Sequence, residues 1–379
     1  MLPTLWLSTH VGYACRHSGA CCRAGWPLPV EARVAAPIEA AVASGRLATV
    51  DRSVVWLRDS AEAPDGMAGT FRLAGDACVF HVPMTSANAP PSGRHCAVHA
   101  TLGHEALPAS CQHFPRVCLV DARGVRVALS HFCPTAAAML VDPARPVTIV
   151  PGPAAVPGVE VPEGLDVRDA LPPRLSARVL MDLDALTAWE AHIVGALAGE
   201  AAWPGSPDEV LARLAEEAAQ LATWKPGGRS LVDVVRDLEG EKPVAVTRAA
   251  AMWTPEAAYA LAVAACRAPW TWPALPADLA ALDDACVAPV WPVVAPVVRR
   301  YLAGKAFGAW VSYQADATRA VVSYLALALT VLRVECARAG ANDRRPLDHD
   351  RLLTAVRQAD LLLVHYLDGW RVADRLTPG

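Results

Sequence analysis

Cysteine and histidine are concentrated in the first third of the chain. Eight of the 11 cysteines precede residue 134, and so do eight of the 11 histidines. Thiolates and imidazoles are the groups with which proteins hold zinc ions and iron–sulfur clusters. The other three cysteines lie far apart in apolar, helical surroundings and are expected to be small core residues: Cys266, Cys286 and Cys336. The distribution predicts a metal-binding region near the amino terminus.

The densest group is the segment from Cys15 to Cys22, with the sequence CRHSGACC. Its small residues, and Gly19 above all, allow the backbone to fold tightly around an ion. Three thiolates this close repel one another unless a cation neutralises them, and a bound metal removes the proton from a coordinating thiol. We therefore expect these cysteines to face one metal ion or two neighbouring ions.

Four further cysteines follow in loop-like stretches and complete the candidate ligand set. The predicted ligands are the thiols of Cys15, Cys21, Cys22, Cys78, Cys96, Cys111 and Cys133. A structural zinc site or a four-iron, four-sulfur cluster takes four protein ligands. The set therefore predicts two centres, or one centre beside a redox or substrate-binding thiol. The alternative is a set of buried or disulfide-paired cysteines.

Several neighbouring residues carry weaker signals. Cys118 lies in an alternating apolar stretch and is expected to be a core thiol. Arg116, after Phe114-Pro115, either holds a carboxylate or carbonyl group or is an exposed turn arginine. Four histidines flank the cysteines, and each is a candidate ligand, a second-shell donor or a surface residue: His17, His95, His99 and His113.

Composition limits the classes of function. Hydrophobic residues make up 54% of the 379 residues and charged residues 19%, so the chain has ample material for a buried core. The net charge of −4 gives no basic excess for binding nucleic acid or an anionic membrane. The apolar run from Val321 to Leu332 is too short to span a bilayer and predicts a buried helix. With no recognisable secretory leader, we expect a reducing, cytoplasmic location.

The chain divides into three parts by pattern. Residues 1–142 form the cysteine-cluster region, 143–173 a proline-rich connector, and 174–379 a helical domain. The predicted fold is mainly α: an irregular, metal-binding amino-terminal region with a small β-hairpin, followed by an all-α bundle. The hairpin is expected at Arg116 to Ser130, and the connector is expected to be neither helix nor central strand. Helices are expected at Leu175 to Leu197 and after the capping sequence at Ser206.

Four motifs, in order over residues 12–141, carry a family resemblance. The CRHSGACC segment is followed by Gly25-Trp26, and a Cys-x-Phe motif begins at Cys78. The stretch from Cys96 to Cys111 contains LGHEAL and precedes Phe-Pro-Arg, and a Ser-x-x-Cys-Pro motif begins at Ser130. Together they resemble the zinc- or iron-chelating cysteine-cluster family, and within it the flagellin lysine-N-methylase branch. The family's commoner first motif has an additional cysteine where this chain has His17 or Ser18, which leaves the ligand count open.

The resemblance implies a bound 4Fe-4S cluster or iron or zinc ions. For the methylase branch it also implies S-adenosylmethionine as methyl donor and a protein or peptide substrate that bears lysine. Neither a dinucleotide-binding G-x-G-x-x-G motif nor an H-E-x-x-H zinc motif occurs in the sequence. Two alternatives stay open: an iron-dependent enzyme that modifies a peptide or a metabolite, and a metal-binding or electron-transfer module without transferase activity.

Overall fold

The computed structural model describes residues 2–26, 28–47, 66–82, 96–142, 146–199, 203–240, 252–267 and 270–376. Within these ranges the strands are β1 Thr4–Leu7, β2 Leu28–Glu31, β3 Met67–Phe71, β4 Leu73–Ala74, β5 Ala77–Cys78, β6 Arg116–Asp121, β7 Gly124–Leu129, β8 Ile149–Pro151, β9 Gly164–Asp166, β10 Arg174–Ser176 and β11 Val179–Leu180. The α-helices of the amino-terminal region are α1 Ala32–Ala43, α2 Ala97–Leu102, α3 Ala109–His113 and α4 Pro134–Ala138.

The remaining helices form a bundle. They are α5 Leu183–Ala198, α6 Pro207–Leu221, α7 Leu231–Gly240, α8 Pro255–Ala265, α9 Leu279–Leu282, α10 Trp291–Ala306, α11 Val311–Gln314, α12 Arg319–Ala339, α13 His349–Asp360 and α14 Gly369–Leu376. Single π-helical turns extend α9 and α13 at Asp283–Val287 and Leu361–Tyr366, and 3₁₀ turns occur at Cys21–Arg23, His104–Ala106 and Met139–Val141. The mainly α fold class is therefore correct for the described residues.

The predicted hairpin is the centre of a larger sheet. Strands β6 and β7 pair in antiparallel fashion from Arg116–Leu129 to Asp121–Gly124, as the alternating pattern predicted. Strand β1 adds parallel to β7, and the whole five-stranded order is β8-β1-β7-β6-β9. Both edge strands come from the proline-rich connector, since β8 pairs with β1 and β9 pairs with β6. Edge positions suit proline because it has no backbone N–H to donate.

One predicted helix begins later than the sequence indicated. The helix expected from Leu175 begins only at Leu183, because Asp182 caps it: its Oδ1 accepts a hydrogen bond of 2.8 Å from Ala185 N. The residues before this cap form the short antiparallel pair β10–β11. The Ser206 signal is correct, and a full capping box with Glu209 opens α6. The carboxy-terminal part is therefore helical after a two-stranded start.

Helix α12 lies inside the bundle. It is long and apolar enough to cross a membrane by length and composition, yet 78% of its most apolar 18-residue window is buried within the described fold. The helix pair from Leu279 to Ala306 meets the same criterion only if its 101° bend is ignored. Burial of α12 agrees with the core helix predicted from the run at Val321.

A buried ion-pair network attaches the sheet to the bundle. Arg126 of β7 is 1% exposed, and its Nε donates to Glu190 Oε2 of α5 at 2.7 Å. Glu190 Oε1 also accepts from the backbone N–H of Gly308 at 3.0 Å, just beyond α10. Asp121, at the end of β6, accepts from Arg123 and from the hydroxyl of Tyr313. These hydrogen-bonded charges fix the sheet against two helical elements.

Gly304 allows α10 to approach the residues that follow β7. A Cβ atom built on Gly304 would lie 3.0 Å from His131 Cε1 and 3.6 Å from His10 Cε1.

We predict that Gly304→Ala lowers the free energy of unfolding by about 1–3 kcal/mol through overpacking. The matched control is Gly195→Ala in α5, where no heavy atom lies within 4 Å and where alanine should stabilise by about 0.5–1 kcal/mol. Urea denaturation measures both, and equal effects of the two variants would contradict the packing argument.

Candidate functional site

Five cysteines from four separate segments pack beside one another in the amino-terminal region. The Cys22 thiol forms hydrogen bonds with Cys21 and Cys96. Electrostatic interactions link Cys78 to Cys96 and Cys21, and link Cys111 to all three of these. All five are free thiols, so the disulfide alternative does not describe this group. We call Cys21, Cys22, Cys78, Cys96 and Cys111 the thiol cluster.

Short elements position the thiol cluster. Gly19, at a φ of 71°, turns the chain into the 3₁₀ turn that carries the adjacent pair Cys21 and Cys22. Strand β5 ends at Cys78, and Cys96 precedes α2 while forming an isolated bridge with His81. Helix α3 supplies Cys111. Because each element is only two to six residues long, long-range packing holds the cluster together.

The thiols of the cluster differ in their preference for the proton. Hydrogen bonds with Cys22 lower the pKa of Cys21 and of Cys96, and these same bonds raise the pKa of Cys22. Burial raises the pKa of Cys78 to about 12 and that of Cys111 well above its usual value. Cys21 and Cys96 therefore lose a proton more readily than an ordinary cysteine, and Cys22, Cys78 and Cys111 lose it less readily. A cation beside them would lower the pKa of all five thiols, since metal binding deprotonates a coordinating thiol.

The metal assignment stays a prediction. In the part of the chain that the structure describes, no group of three or more His, Cys, Asp or Glu side chains is arranged so that it could hold a metal ion. The thiols are adjacent, but their sulfur atoms are not placed as ligands around one ion. By donor type, however, five neighbouring sulfur atoms suit a thiophilic metal or an iron–sulfur cluster.

The two remaining predicted ligands lie beside the cluster and not within it. Cys15 is exposed and interacts electrostatically with Cys21 on one side and with Cys133 on the other. Cys133 is buried against the sheet, in the same apolar group as Cys118, and its sulfur lies 3.6 Å from the hydroxyl of Tyr13. The expectation that Cys118 is a core thiol agrees with its complete burial, which raises its pKa to about 12.

Three histidine rings form a row near Cys15. The backbone N–H of His17, a residue at a positive φ of 56°, donates to Cys15 Sγ at 3.3 Å. Its ring lies 4.8 Å from that of His99, which lies 5.7 Å from that of His104. His95 lies outside the described residues. The row places imidazoles next to the exposed thiol of Cys15. Sequence analysis had considered His17 and His99 as separate candidates and had not considered His104.

A cavity of about 570 Å³ opens next to the thiol cluster. Cys21, Cys22 and Cys111 form part of one wall. Residues of the bundle form the opposite wall, among them Lys305 and His365. Much of the lining is aromatic: Trp26, Phe114, Phe307, Trp310, Tyr324 and Trp370. The cavity is built by both regions of the chain, so no local sequence pattern announced it.

Behind the cavity lies a buried polar network around Asp360, at the end of α13. The carboxylate accepts from Lys305 Nζ at 2.8 Å, from the hydroxyl of Tyr301 at 2.9 Å and from the backbone N–H of His131 at 2.5 Å. His131 Nε2 lies 3.2 Å from His10 Nε2. Burial alone would raise the pKa of Asp360, but Lys305 and the His131 hydrogen bond lower it far below its usual value. Sequence analysis missed this network because its members lie in four distant segments.

His365 connects this network to the cavity. Its Nε2 is hydrogen-bonded to Ser130 Oγ at 2.8 Å, and its ring lies 4.5 Å from that of Trp26. Burial lowers the pKa of His365 to about 4, so the imidazole is neutral at pH 7. Sequence analysis did not single it out as a site residue, because its flanking residues are those of an ordinary helix.

Comparisons with protein-family models, with curated proteins and with solved structures find no match for this chain.

We predict that the buried His365 makes stability fall with acidity. Its pKa is about 4 in the folded chain and about 6.5 when unfolded, so between these values only the unfolded chain takes the proton. Stability is full above about pH 6.5 and falls on acidification by up to about 1.4 kcal/mol per pH unit. His10 and His131, whose pKa values are also lowered by burial, act in the same direction.

Urea denaturation at pH 7, 6 and 5 checks this prediction. His365→Gln should reduce the pH dependence, whereas His349→Gln, at an exposed position, should keep it. An unchanged dependence in His365→Gln would show that this histidine is not buried in its neutral form.

Proposed function

We propose that the protein is an enzyme whose metal ions or iron–sulfur cluster are held by the thiol cluster and whose substrate occupies the neighbouring cavity. The observation that carries the proposal is that three of the five clustered thiols form a wall of that cavity. A centre that only transferred electrons would need no enclosed space beside it. The cavity volume also falls within the range of about 300–1,000 Å³ that is typical of small-molecule sites.

The thiol cluster supplies the donors that such a centre needs. The pKa values of Cys21 and Cys96 are already lowered by their hydrogen bonds with Cys22, and Cys78 and Cys111 lie within their electrostatic reach. Cys15, exposed beside Cys21, is the natural additional thiol for exchange of metal or substrate. A bound iron–sulfur cluster would supply electron transfer, and a zinc or iron ion would supply Lewis-acid polarisation.

Within this proposal, the reaction is methyl transfer from S-adenosylmethionine to the lysine amine of a protein or peptide. The resemblance of residues 12–141 to the lysine-N-methylase branch supports this reaction, and the cavity offers space for its substrates. Aromatic faces such as that of Trp26 suit a sulfonium cation through its interaction with π electrons. The lysine amine must be neutral and in line with the methyl group. The apolar lining of the cavity favours the neutral form of the amine. We place the protein in a reducing, cytoplasmic location, where the thiols stay free.

We predict that protein purified without oxygen contains iron or zinc and that single Cys→Ser variants in the thiol cluster lose most of it. The informative positions are Cys21, Cys22 and Cys96, whose mutual hydrogen bonds place them closest together. Cys266→Ser is the matched control, because this thiol lies in the bundle, outside the cluster. Metal analysis and acid-labile sulfide distinguish a cluster from zinc. Full metal content in all three variants would contradict the ligand assignment.

We predict methyl transfer from radiolabelled S-adenosylmethionine to lysine residues of flagellin, or of another protein, in the presence of this enzyme. The Cys22→Ser variant should lower the rate by at least about tenfold, since it alters the cavity wall and the proposed centre together. The Cys266→Ser control should retain the parent rate. Metal-loaded protein that labels no lysine would contradict the methylase reaction while leaving the metal centre standing.

A further inference from the structure

Three polar side chains that line one end of the cavity lack ordinary hydrogen-bond partners. Ser110 Oγ, His113 Nδ1 and Arg116 Nε are buried and meet no hydrogen-bonding nitrogen or oxygen in the described fold. His113 is only 5% exposed. A buried polar group without a partner destabilises the fold, so such a concentration at a cavity indicates a ligand that supplies the missing partners.

The three side chains belong to one short stretch of chain. Ser110 and His113 are three residues apart in α3 and therefore share a face of that helix. Arg116 follows at the first position of β6. Cys111 of the thiol cluster lies between them and lines the same cavity. This end of the cavity is thus adjacent to the proposed centre.

All three unpartnered groups are hydrogen-bond donors. The backbone N–H of Glu163 donates to His113 Nε2 at 3.4 Å, which leaves the hydrogen of the neutral ring on Nδ1. Arg116 has only donors and is permanently charged. Its contacts are a long hydrogen bond to Gln112 O at 3.5 Å and the face of the Tyr13 ring at 5.4 Å. The Ser110 hydroxyl has a hydrogen bond only with the sulfur of its neighbour Cys111, and a hydroxyl can rotate to direct its hydrogen to a ligand oxygen instead.

The charge of the cavity lining agrees with this donor set. Its charged side chains are Arg116, Arg267, Lys305 and Glu163. Asp360 neutralises the charge of Lys305, since its Oδ1 lies 2.7 Å from Lys305 Nζ. The negative charge of Glu163 balances the charge of one of the two arginines, so the lining keeps one net positive charge. Among the described residues, no carboxylate lies within ion-pair distance of Arg116.

We propose that Ser110, His113 and Arg116 form a subsite for a carboxylate of the ligand in the cavity. Three donors and one permanent positive charge match the acceptor atoms of a carboxylate. The carboxylate belongs either to the methyl donor, whose methionine part carries one, or to an acidic acceptor substrate. The inference rests on the proposed function only in taking this cavity as the ligand site. Of the roles that the sequence left open for Arg116, it favours binding of a carboxylate over an exposed turn arginine.

Paired probes that differ in the carboxylate alone test the proposal. The first pair is S-adenosylmethionine and its decarboxylated form, and the second is 3-phenylpropionate and 3-phenylpropanamide, which suit the aromatic wall. Titration calorimetry on the full-length protein as purified should show a preference of about 10- to 100-fold for the carboxylate in at least one pair. The pair that shows it identifies the source of the carboxylate.

Variants assign the preference to these residues. Arg116→Gln should abolish it, and Arg116→Lys should restore only part, because lysine keeps the charge without the planar fork. Arg168→Gln is the control, since this arginine pairs with Asp166 on the surface and does not line the cavity. Circular dichroism verifies folding, and Ser110→Ala, a smaller change, serves if Arg116→Gln fails to fold.

The outcomes separate this inference from the proposed function. No carboxylate preference in either pair, or a preference that survives in folded Arg116→Gln or Ser110→Ala, would overturn the subsite. If protein purified without oxygen contains no metal but still prefers the carboxylate in an Arg116-dependent way, the result would support the subsite and contradict the proposed centre. If Arg116→Gln holds as much metal as the parent protein but loses the preference for the carboxylate, the result would support both the subsite and the proposed centre.

Discussion

The buried carboxylate of Asp360 is the interaction on which the arrangement of the two regions depends. It binds Lys305 and Tyr301 of α10 and the backbone of His131 after β7, so one group joins two helices to the sheet. An unpaired charge at a fully buried position would cost several kcal/mol, and this cost makes the three contacts interdependent. Because Lys305 and Gly304 also line the cavity, the same interaction fixes the wall that faces the thiol cluster.

The thiol cluster and the helical bundle therefore line one cavity, and they are two different kinds of structure. The cluster is built on turns and very short elements, whereas the opposite wall is built on long helices and on the residues that follow them. Rigid helices hold ligand-facing groups accurately, and irregular segments allow several thiols to converge. Trp26 and His365, whose rings lie 4.5 Å apart, bring the two together along the cavity.

Sequence reasoning succeeded where the signal was local. The alternation and turn between Arg116 and Leu129 predicted the hairpin, and the Ser206 capping box predicted the start of α6. It could not predict the five-stranded sheet, because β1, β8 and β9 are three or four residues long and find their partners over long separations. The cysteine pattern indicated the five thiols that meet, together with Cys15 and Cys133, which lie beside them. The cavity and the Asp360 network depend on packing between α10, α13 and the sheet, which leaves no periodic trace in the sequence.

Helix α12 has a consequence for how the chain reaches this state. Helix α13, which packs along α12, is made after it and must dock before that side of α12 is covered. Until then an apolar helix long enough to span a bilayer has an uncovered flank, which is the kind of surface that chaperones and membranes bind. Docking of α13 therefore converts a segment with membrane-like composition into the interior of a folded domain.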